Sequence, residues 1–579
     1  MQSLKAQVAA CESRLTLAEK ARADRAASFL SNGAPSYQMA DLPQIYCHND
    51  ESVYQYGELL TDTLAGWVAD GFLAGPFKSP PFPRFRVNPI KVVVKPDKVR
   101  PVLNVSSPIG ASFNDNICID AMEKVVMSSA KKFSESVLEA GKGALMTKTD
   151  KKDAYKNVPC NLKDLRLQGL QWGGRYFVEL YQIFGSKAAA ANYDTLDNTS
   201  VSLAKAGCEI PKKFVHRQLD DTPAVGPASK PWLSDFTTSL FSVCNQLGFK
   251  LAPECPKFEK AFTMSTRGKV LGIFLDTMSL SWSLPLEKSD EYLSMVLGCL
   301  QGANLSLEAA ESLLGKLNFV TSMAPFMKTF KVNLQIFLAT LKEAHLSSLE
   351  LTAELRRDLE IWAVFLFDSR EGLPIPSPRT APPLRHKTVT TDASGWQNDH
   401  NGPIDAGIGV VVRDEDGELS FVSQTLWSFA EGTSLIDSLG KHLGSKTTSL
   451  ELTGLVLAVL QLGNDIAGQH VVFQVDNIGC HYIWPKGYSN TDRLASVLAR
   501  LLVLLEAKLC MNVHVMHHPR MSSWESCLAD RLSRERSTTS SDKLLLSSFR
   551  VPPLQRDFAA WMRNPSEDWD MPLNVISNF

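Results

Sequence analysis

Apolar positions divide the chain into segments of clearly different period. Residues 1 to about 30, rich in Ala, Glu, Lys and Arg, set Leu4, Val8, Cys11, Leu15 and Ala18 at alternating four- and three-residue steps. This heptad-like seam predicts one helix. The next position in register is Arg22, so the seam is short. A helix docked on its own protein is the expectation, and self-association through it as a coiled coil is the alternative. From about 35 to 90 the chain is punctuated by Pro and Gly ("DGFLAGPFKSPPFPRFRVNP"), which predicts short or irregular elements. "IKVVVKPDKVRPVLNVS" then reads as two strands around a turn at Pro96–Asp97–Lys98. Residues 142 to 260 alternate strand-like and helix-like segments, and 286 to 366 are helical, with Ser306 placed to cap "LEAAESLLGKLNFV".

The segment 370–387, "REGLPIPSPRTAPPLRHK", is Pro-rich and lacks periodicity, so it reads as a linker. A second unit follows. "KTVTTDAS" is a strand, and "GIGVVVRDEDGELSFVSQTL" is a hairpin turned at Asp416–Gly417. "TTSLELTGLVLAVLQLG" is a helix, "HVVFQVDN" a strand, and "DRLASVLARLLVLLEAKL" a helix. "MNVHVMHH" is a strand and "SCLADRLSR" starts a helix. Three strands followed by alternating strands and helices predict a mixed α/β layer fold. The whole chain is expected to be an α+β and α/β multidomain protein.

Composition changes this picture little. At 579 residues the chain exceeds one core, so roughly two to four domains are expected. Hydrophobic content of 44% and charged content of 21% are those of an ordinary globular protein. A net charge of −2 exerts no global pull on polyanions, so any nucleic-acid surface must be local. The eleven cysteines contain no C-x-x-C pair, which argues for a reducing compartment and against structural zinc. The longest apolar run, Leu452 to Leu462, is too short to span a bilayer. The N-terminus lacks an apolar signal core. An intracellular site, cytoplasm or nucleus, and no membrane partner are the expectation.

Acidic residues beside apolar segments carry the candidate chemistry. "HRQLDDTPAVG" sets Asp220 and Asp221 together, and an ordinary hairpin turn explains that pair by itself. Asp150 ends the apolar segment of "LMTKTDKKDAY". Were it to lie beside the doubled aspartate, three like charges would require cations between them. Magnesium suits oxygen ligands and bridges carboxylates to phosphates. Past the linker, Asp392, Glu451, Asp476 and Asp530 fall at comparable places in successive elements. Each has a plain reading as an exposed or capping acid, yet acids rarely border buried segments without partners. Spacing alone leaves a second metal site open. Lys91, Lys95, Lys98 and Arg100, preceded by Arg84 and Arg86, make the hairpin at 90–105 basic. That is either a solvated hairpin or a finger over phosphates.

From about residue 85 to 535 these motifs, in this order, resemble a reverse transcriptase joined to an RNase H. "KPDKVRPVLN" is similar to the finger motif that holds the incoming triphosphate, which implies Arg100 and Lys95 as dNTP-binding residues. "TDKKDAYKNVP" resembles the palm motif, implying Asp150 as a metal ligand and Tyr155 as the aromatic that crowds the sugar 2′ carbon. "YQIFGSKAAA" keeps Phe184 and Gly185 of a Pro-Phe-Gly motif, with Ile183 in the proline's place. "RQLDDTPAVG" resembles the [YF]-x-D-D hairpin, implying Asp220 and Asp221 as metal ligands. "TDAS", "LEL", "VDN" and "LADRLSR" resemble the four RNase H acidic motifs, carried by Asp392, Glu451, Asp476 and Asp530. The run "GKVLGIFLDTMSLSWSLPLEK", followed by "LLGKLNF", looks most like DIRS-type retrotransposon polymerases, which accompany a tyrosine recombinase.

The resemblance implies a right-hand polymerase followed by an RNase H-like mixed-sheet domain. Its parts would be an N-terminal helix (1–35), fingers and palm (36–285), and a helical thumb or connection (286–369). The linker (370–387), the RNase H-like domain (388–535) and a C-terminal extension (536–579) would follow. It further implies two Mg2+ per active site, with Mn2+ as a substitute. The implied partners are an RNA template, a DNA primer, an RNA-DNA hybrid and dNTPs. Three departures stand out. Gln218 replaces the usual aromatic before the doubled aspartate, and Cys255 stands where relatives carry a lysine, with Lys257 two residues on as its substitute. His517 and His518 are both eligible for the family histidine that follows the last strand. Two other readings are a domesticated, non-catalytic nucleic-acid-binding scaffold and a polymerase whose RNase H is idle.

Overall fold

The apolar stripes and alternations become a mixed α/β protein of two compact units in the computed structural model. The structure describes residues 2–95, 98–249, 262–376, 385–395, 397–399, 402–404, 406–427, 447–489, 492–534 and 537–550. The first unit comprises Met1–Pro285 and Gly372–Ile375, and the second Leu286–Glu371 and Pro376–Phe579. The helical segment after residue 285 therefore groups with the chain beyond the linker. Within the linker region, Leu373–Pro374 is a short strand paired with Ser281–Ser283 of the first unit. Residues 377–384 lie outside the described set.

In the first unit the single N-terminal helix expected from the heptad seam is two helices, α1 (Gln2–Ala10) and α2 (Leu17–Asn32). Thr16 accounts for the restart. Its hydroxyl accepts from the Glu19 N–H while the Glu19 carboxylate accepts from the Thr16 N–H, a reciprocal cap that begins a new helix. The basic hairpin forms as expected, β1 (Ile90–Lys95) and β2 (Lys98–Leu103), paired antiparallel from Ile90↔Leu103 to Lys95↔Lys98. Its turn, at Pro96 and Asp97, lies outside the described residues, and so do the side chains of Lys95 and Lys98.

A three-stranded sheet then has β3 (Leu145–Asp150) at its centre. Helix α3 (Ala189–Ala206) is buried along most of its length, with α2 packed on it. The partners of β3 are β4 (Asp221–Gly226) and β5 (Phe262–Ser265), both antiparallel to it. Between β4 and β5 runs α4 (Trp232–Leu247), which buries Leu233, Phe236, Leu240, Val243 and Cys244 and packs on both α3 and α1. The N-terminal helices thus dock on their own chain.

The second unit opens with α5 (Leu286–Gln301), α6 (Leu307–Thr321), α7 (Val332–Glu343) and α8 (Ala353–Asp368). Ser306 caps α6 as expected, accepting from the Ala309 N–H. Trp362, fully buried on α8, donates Nε1–H to the Phe330 carbonyl at 3.0 Å.

A five-stranded sheet follows: β6 (Lys387–Ser394), β7 (Ala406–Arg413), β8 (Leu419–Trp427), β9 (His470–Val475) and β10 (Asn512–His517). Its spatial order is β8-β7-β6-β9-β10. The first three strands are antiparallel neighbours, while β6–β9 and β9–β10 pair in parallel. Parallel neighbours need crossovers, and helices supply them. The first is α9 (Thr447–Leu462), whose Leu452, Leu455, Val456, Leu457, Ala458 and Val459 are all buried. A helix that is apolar all round belongs in a core, which is what the longest apolar run of the sequence becomes.

The second crossover is longer than expected. Ahead of α11 (Arg493–Lys508) it contains α10 (Ile478–Lys486), which periodicity did not reveal because Pro485 and Gly487 interrupt the stripe. Helix α12 (Trp524–Leu532) then packs across β6 and β7, and a short helix at Ser540–Ser547 follows. No helix among the described residues is long and apolar enough to cross a membrane.

Candidate functional site

Each unit carries one group of the acids picked out in the sequence. In the first unit, β3 and β4 pair in a register that sets Asp150 directly opposite Asp221. The doubled aspartate is a tight hairpin. The Gln218 N–H donates to the Asp221 carbonyl at 2.8 Å, and the Asp221 N–H donates to the Gln218 carbonyl at 3.0 Å. Leu219 turns the chain with φ +51°, a left-handed conformation that costs a branched side chain about 1–2 kcal/mol. Gln218 is thus the residue whose backbone closes the turn.

Asp220 is exposed, and Asp150 and Asp221 are half-buried. Among the described residues, these three carboxylates do not gather within metal-ligand distance of one another. Lys148, buried on β3 two residues before Asp150, places its ammonium 2.9 Å from Asp221 Oδ2 and neutralises it. An ammonium there and a divalent cation shared by all three acids are alternative ways to hold the same charge.

Tyr155 follows on a short 3-10 turn and packs edge-on against Phe184, with ring centroids 4.8 Å apart, and against Tyr193 at 5.8 Å. Burial, then the Asp220 charge, raises the Tyr155 hydroxyl above the usual phenol range. Gly185, at φ +93°, takes a backbone conformation open to glycine, and its carbonyl accepts from Asn114 Nδ2 at 2.8 Å. Arg100 and Phe184 both line a cavity of about 420 Å³, as do Trp67 and Phe72. The buried Lys156–Glu179 ion pair and Asp153 also line it. Its volume falls in the range of small-ligand sites. Lys257 and Cys255 lie outside the described residues.

The second unit gathers its acids far more tightly. Asp392 on β6, Glu451 on α9 and Asp476 just past β9 bring one carboxylate oxygen each within 4.8 Å of one another. Asp392 and Glu451 are buried, 6% and 3% exposed. Burial first, then the Asp476 and Asp530 charges, pushes Asp392 up to about 6 against the pull of the Ser533 hydroxyl. That hydroxyl donates to Asp392 Oδ2 at 2.6 Å. Burial, then Asp392 and Asp476, holds Glu451 well above the usual carboxylate range. One Glu451 oxygen accepts from the Ala393 N–H at 3.2 Å, while the other is buried without a hydrogen-bond partner.

An orphaned buried carboxylate oxygen among like charges fits a hard divalent cation, which would relieve both penalties. Asp530, on α12, stands beside this group and is held by Arg520, from the loop after β10, and by Arg534 at 3.2 Å. It is not one of the three that converge. Of the two eligible histidines, His517 ends β10 exposed, and His518 donates its backbone N–H to Val475 at 2.8 Å, next to Asp476.

Several contributors escaped the sequence reading: Lys148, Lys151, Asp197 and Arg217 in the first unit, Arg520 and Ser533 in the second. For the first four the signal was present as charges inside segments that otherwise read as buried strand or helix. Two glycines were also missed. A Cβ on Gly409 would lie 2.2 Å from the Ala529 carbonyl oxygen, and one on Gly407 2.5 Å from that of Ser533. Both must stay bare for α12 to approach β7 closely enough to set Ser533 against Asp392.

No family model matches the sequence, and no curated protein matches it. Among solved structures, the chain is similar to a foamy viral protease-reverse transcriptase in complex with dsDNA, at 15% identity and a TM-score of 0.46. That match covers 87% of this chain and 94% of the other. A foamy viral protease-reverse transcriptase dRH in complex with ds DNA matches at 13% identity and a TM-score of 0.47, covering 87% and 80%.

Proposed function

We propose that the chain is a reverse transcriptase with RNase H activity, serving replication of a retroelement, with a DIRS-type element as the source. It would synthesise DNA on RNA and DNA templates and cleave RNA in the hybrid. The observation that carries this reading is the convergence of Asp392, Glu451 and Asp476, from three elements far apart in sequence, into one buried carboxylate group. A group so acidic and so buried has a physical reason when it holds divalent cations that act on a phosphodiester.

At that site Asp392, Glu451 and Asp476 would hold the metal, with Asp530 beside it. Bound Mg2+ supplies an activated water and neutralises the charge that develops on phosphate. The chain's own part is to fix these carboxylates. Ser533 orients Asp392, the Ala393 N–H orients Glu451, and Arg520 and Arg534 restrain Asp530. The hybrid would be read by shape rather than by sequence.

For synthesis, Asp150 and Asp220 at the strand end and hairpin are the residues that would hold magnesium, with Asp221 sharing its charge with Lys148. The cavity bearing Arg100 and Phe184 supports a dNTP subsite. There Arg100 would grip phosphate, and Tyr155, braced by Phe184, would crowd the sugar 2′ position. Lys95 and Lys257 complete the proposed dNTP contacts. Lys148 on Asp221 favours a second reading, a nucleic-acid-binding scaffold that performs no synthesis.

One experiment separates them. Purified protein is given a primed, labelled RNA template, dNTPs and Mg2+, beside Asp220→Asn and Asp476→Asn variants. The reading expects extension by the parent and by Asp476→Asn but not by Asp220→Asn, and RNA cleavage by all but Asp476→Asn. A parent that extends no primer leaves the scaffold reading standing.

A further inference from the structure

Beneath the first unit's acids lies a buried ionic network that the chemistry described so far does not use. Lys151, next to Asp150, is only 2% exposed. Its ammonium bonds the Asp197 carboxylate on α3 and the Ser200 hydroxyl at 2.9 Å, and stands 5.9 Å over the Phe249 ring. Arg217, three residues before Asp220, donates Nη1–H to Asp194 Oδ1 at 2.8 Å and to Asp197 Oδ2 at 2.9 Å. Asp197, 1% exposed, therefore divides its two oxygens. One takes the lysine that follows Asp150, and the other takes the arginine that leads into the Asp220–Asp221 hairpin. The Lys151 N–H also donates to the Asp220 carbonyl at 3.1 Å, tying the two segments directly.

Cohesion alone does not explain this arrangement. Apolar side chains of similar volume would hold a strand end, a hairpin and a helix together as well as buried ions do, or better. What charge-assisted bonds add is direction, since each fixes an angle as well as a distance. The network is balanced, with Lys151 and Arg217 against Asp194 and Asp197, so it sets geometry without placing excess positive charge under a cation site.

We propose that Asp197 is a positioning residue for DNA synthesis. By splitting its carboxylate between Lys151 and Arg217, it holds the strand end that carries Asp150 in a fixed orientation to the Asp220–Asp221 hairpin, and synthesis depends on that orientation. The proposal rests on the polymerase reading above.

The test uses the full chain and a Lys151→Met/Asp197→Leu double variant, which swaps the buried pair for apolar bulk and keeps Arg217 on Asp194. Asp197→Asn and Asp197→Glu accompany it. Primer extension on RNA is followed across a Mg2+ titration, with thermal unfolding and RNA cleavage measured on the same preparations. The double variant is expected to keep its Tm and its RNA cleavage. Its extension kcat should fall by about ten- to a hundredfold, with a several-fold higher Mg2+ requirement. Asp197→Glu should recover part of both.

A folded double variant with the parent's kcat and Mg2+ requirement overturns the proposal and leaves the polymerase reading intact. A double variant that fails to fold marks the network as structural and also overturns it. A parent without extension removes the polymerase reading and the proposal together.

Discussion

The two carboxylate sites solve the same electrostatic problem in opposite ways. In the first unit, Asp150, Asp220 and Asp221 sit at a strand end and a turn, partly hydrated, with Lys148 already on Asp221. In the second, Asp392, Glu451 and Asp476 are drawn together with the first two buried, and burial raises the proton affinity of Asp392 and Glu451. The first site disperses like charge among built-in cations. The second stores it, which makes it the site with more to gain from a divalent ion.

The largest expected effect breaks the second site alone. Asp476→Asn removes one of the three converging carboxylates, so on the proposed reading hydrolysis of the RNA strand should fall by about 10³-fold or more, several kcal/mol of transition-state stabilisation. Primer extension should stay within about twofold of the parent, because a shift of that size is below 0.5 kcal/mol. Loss of both activities would show that the sites are not separable.

The comparison also predicts opposite responses to pH. Burial holds His216, on the segment leading into the first unit's hairpin, down at about 4. Its Nε2 lies 2.9 Å from Ser136 Oγ, and its ring is edge-on to Phe133. The folded state then binds fewer protons than the unfolded one between about 6.5 and 4, so the stability due to His216 disappears as pH falls through that window. Asp392 has the reverse sign. Raised from 3.8 to about 6, it favours the folded state when protonated, so its contribution declines as pH rises from about 4 to about 6. Each effect amounts to roughly 3 kcal/mol at most.

Urea unfolding of parent, His216→Gln and Asp392→Asn across pH 4–7, without divalent ions, isolates the two terms as differences from the parent. Differences of the same sign would refute the contrast. Saturating Mg2+ should flatten the Asp392 term and leave the His216 term unchanged.

Gly409→Ala tests how the second site is built. Its Cβ would meet the Ala529 carbonyl at 2.2 Å and Leu532 Cβ at 2.8 Å, both on α12. Backbone cannot yield as a flexible side chain would, so a cost of about 1–3 kcal/mol in unfolding free energy is expected. RNA cleavage should fall as Ser533 leaves Asp392, with extension preserved. A variant of unchanged stability and cleavage would show that α12 has slack.

Much of both sites was legible because period and motif order agree. Strand β6 with Asp392 near its end, α9 with Glu451 and β9 before Asp476 all follow from alternation and stripe, and the hairpin follows from the doubled aspartate between apolar runs. What escaped was of another kind. Whether Asp150, Asp220 and Asp221 share ions or give one to Lys148 depends on a diagonal contact across two strands, which one-dimensional spacing does not specify. The break at Thr16 was hidden because the apolar seam runs through it, although the Thr16–Glu19 spacing is that of a capping box. The role of the buried Asp197 escaped because its cationic partners come from two other segments.

The smallest effect concerns the cations themselves. Lys148 is buried beside Asp221, whereas Arg520, nearly half exposed, reaches Asp530 and lies 4.0 Å from Asp476 Oδ2. Solvent screens Arg520, so Arg520→Ala should change folding stability by less than about 1 kcal/mol. Its guanidinium nevertheless adds positive charge beside the acids that would receive a divalent ion. Removing it should lower the Mg2+ concentration for half-maximal RNA cleavage by about two- to fivefold, the equivalent of a screened ion pair. The matching change in the first unit, Lys148→Met, should lower the Mg2+ requirement for extension by more, because that ammonium is less screened. If Arg520→Ala has the larger effect, or if either variant needs more Mg2+, these cations support the sites and do not compete with magnesium for them.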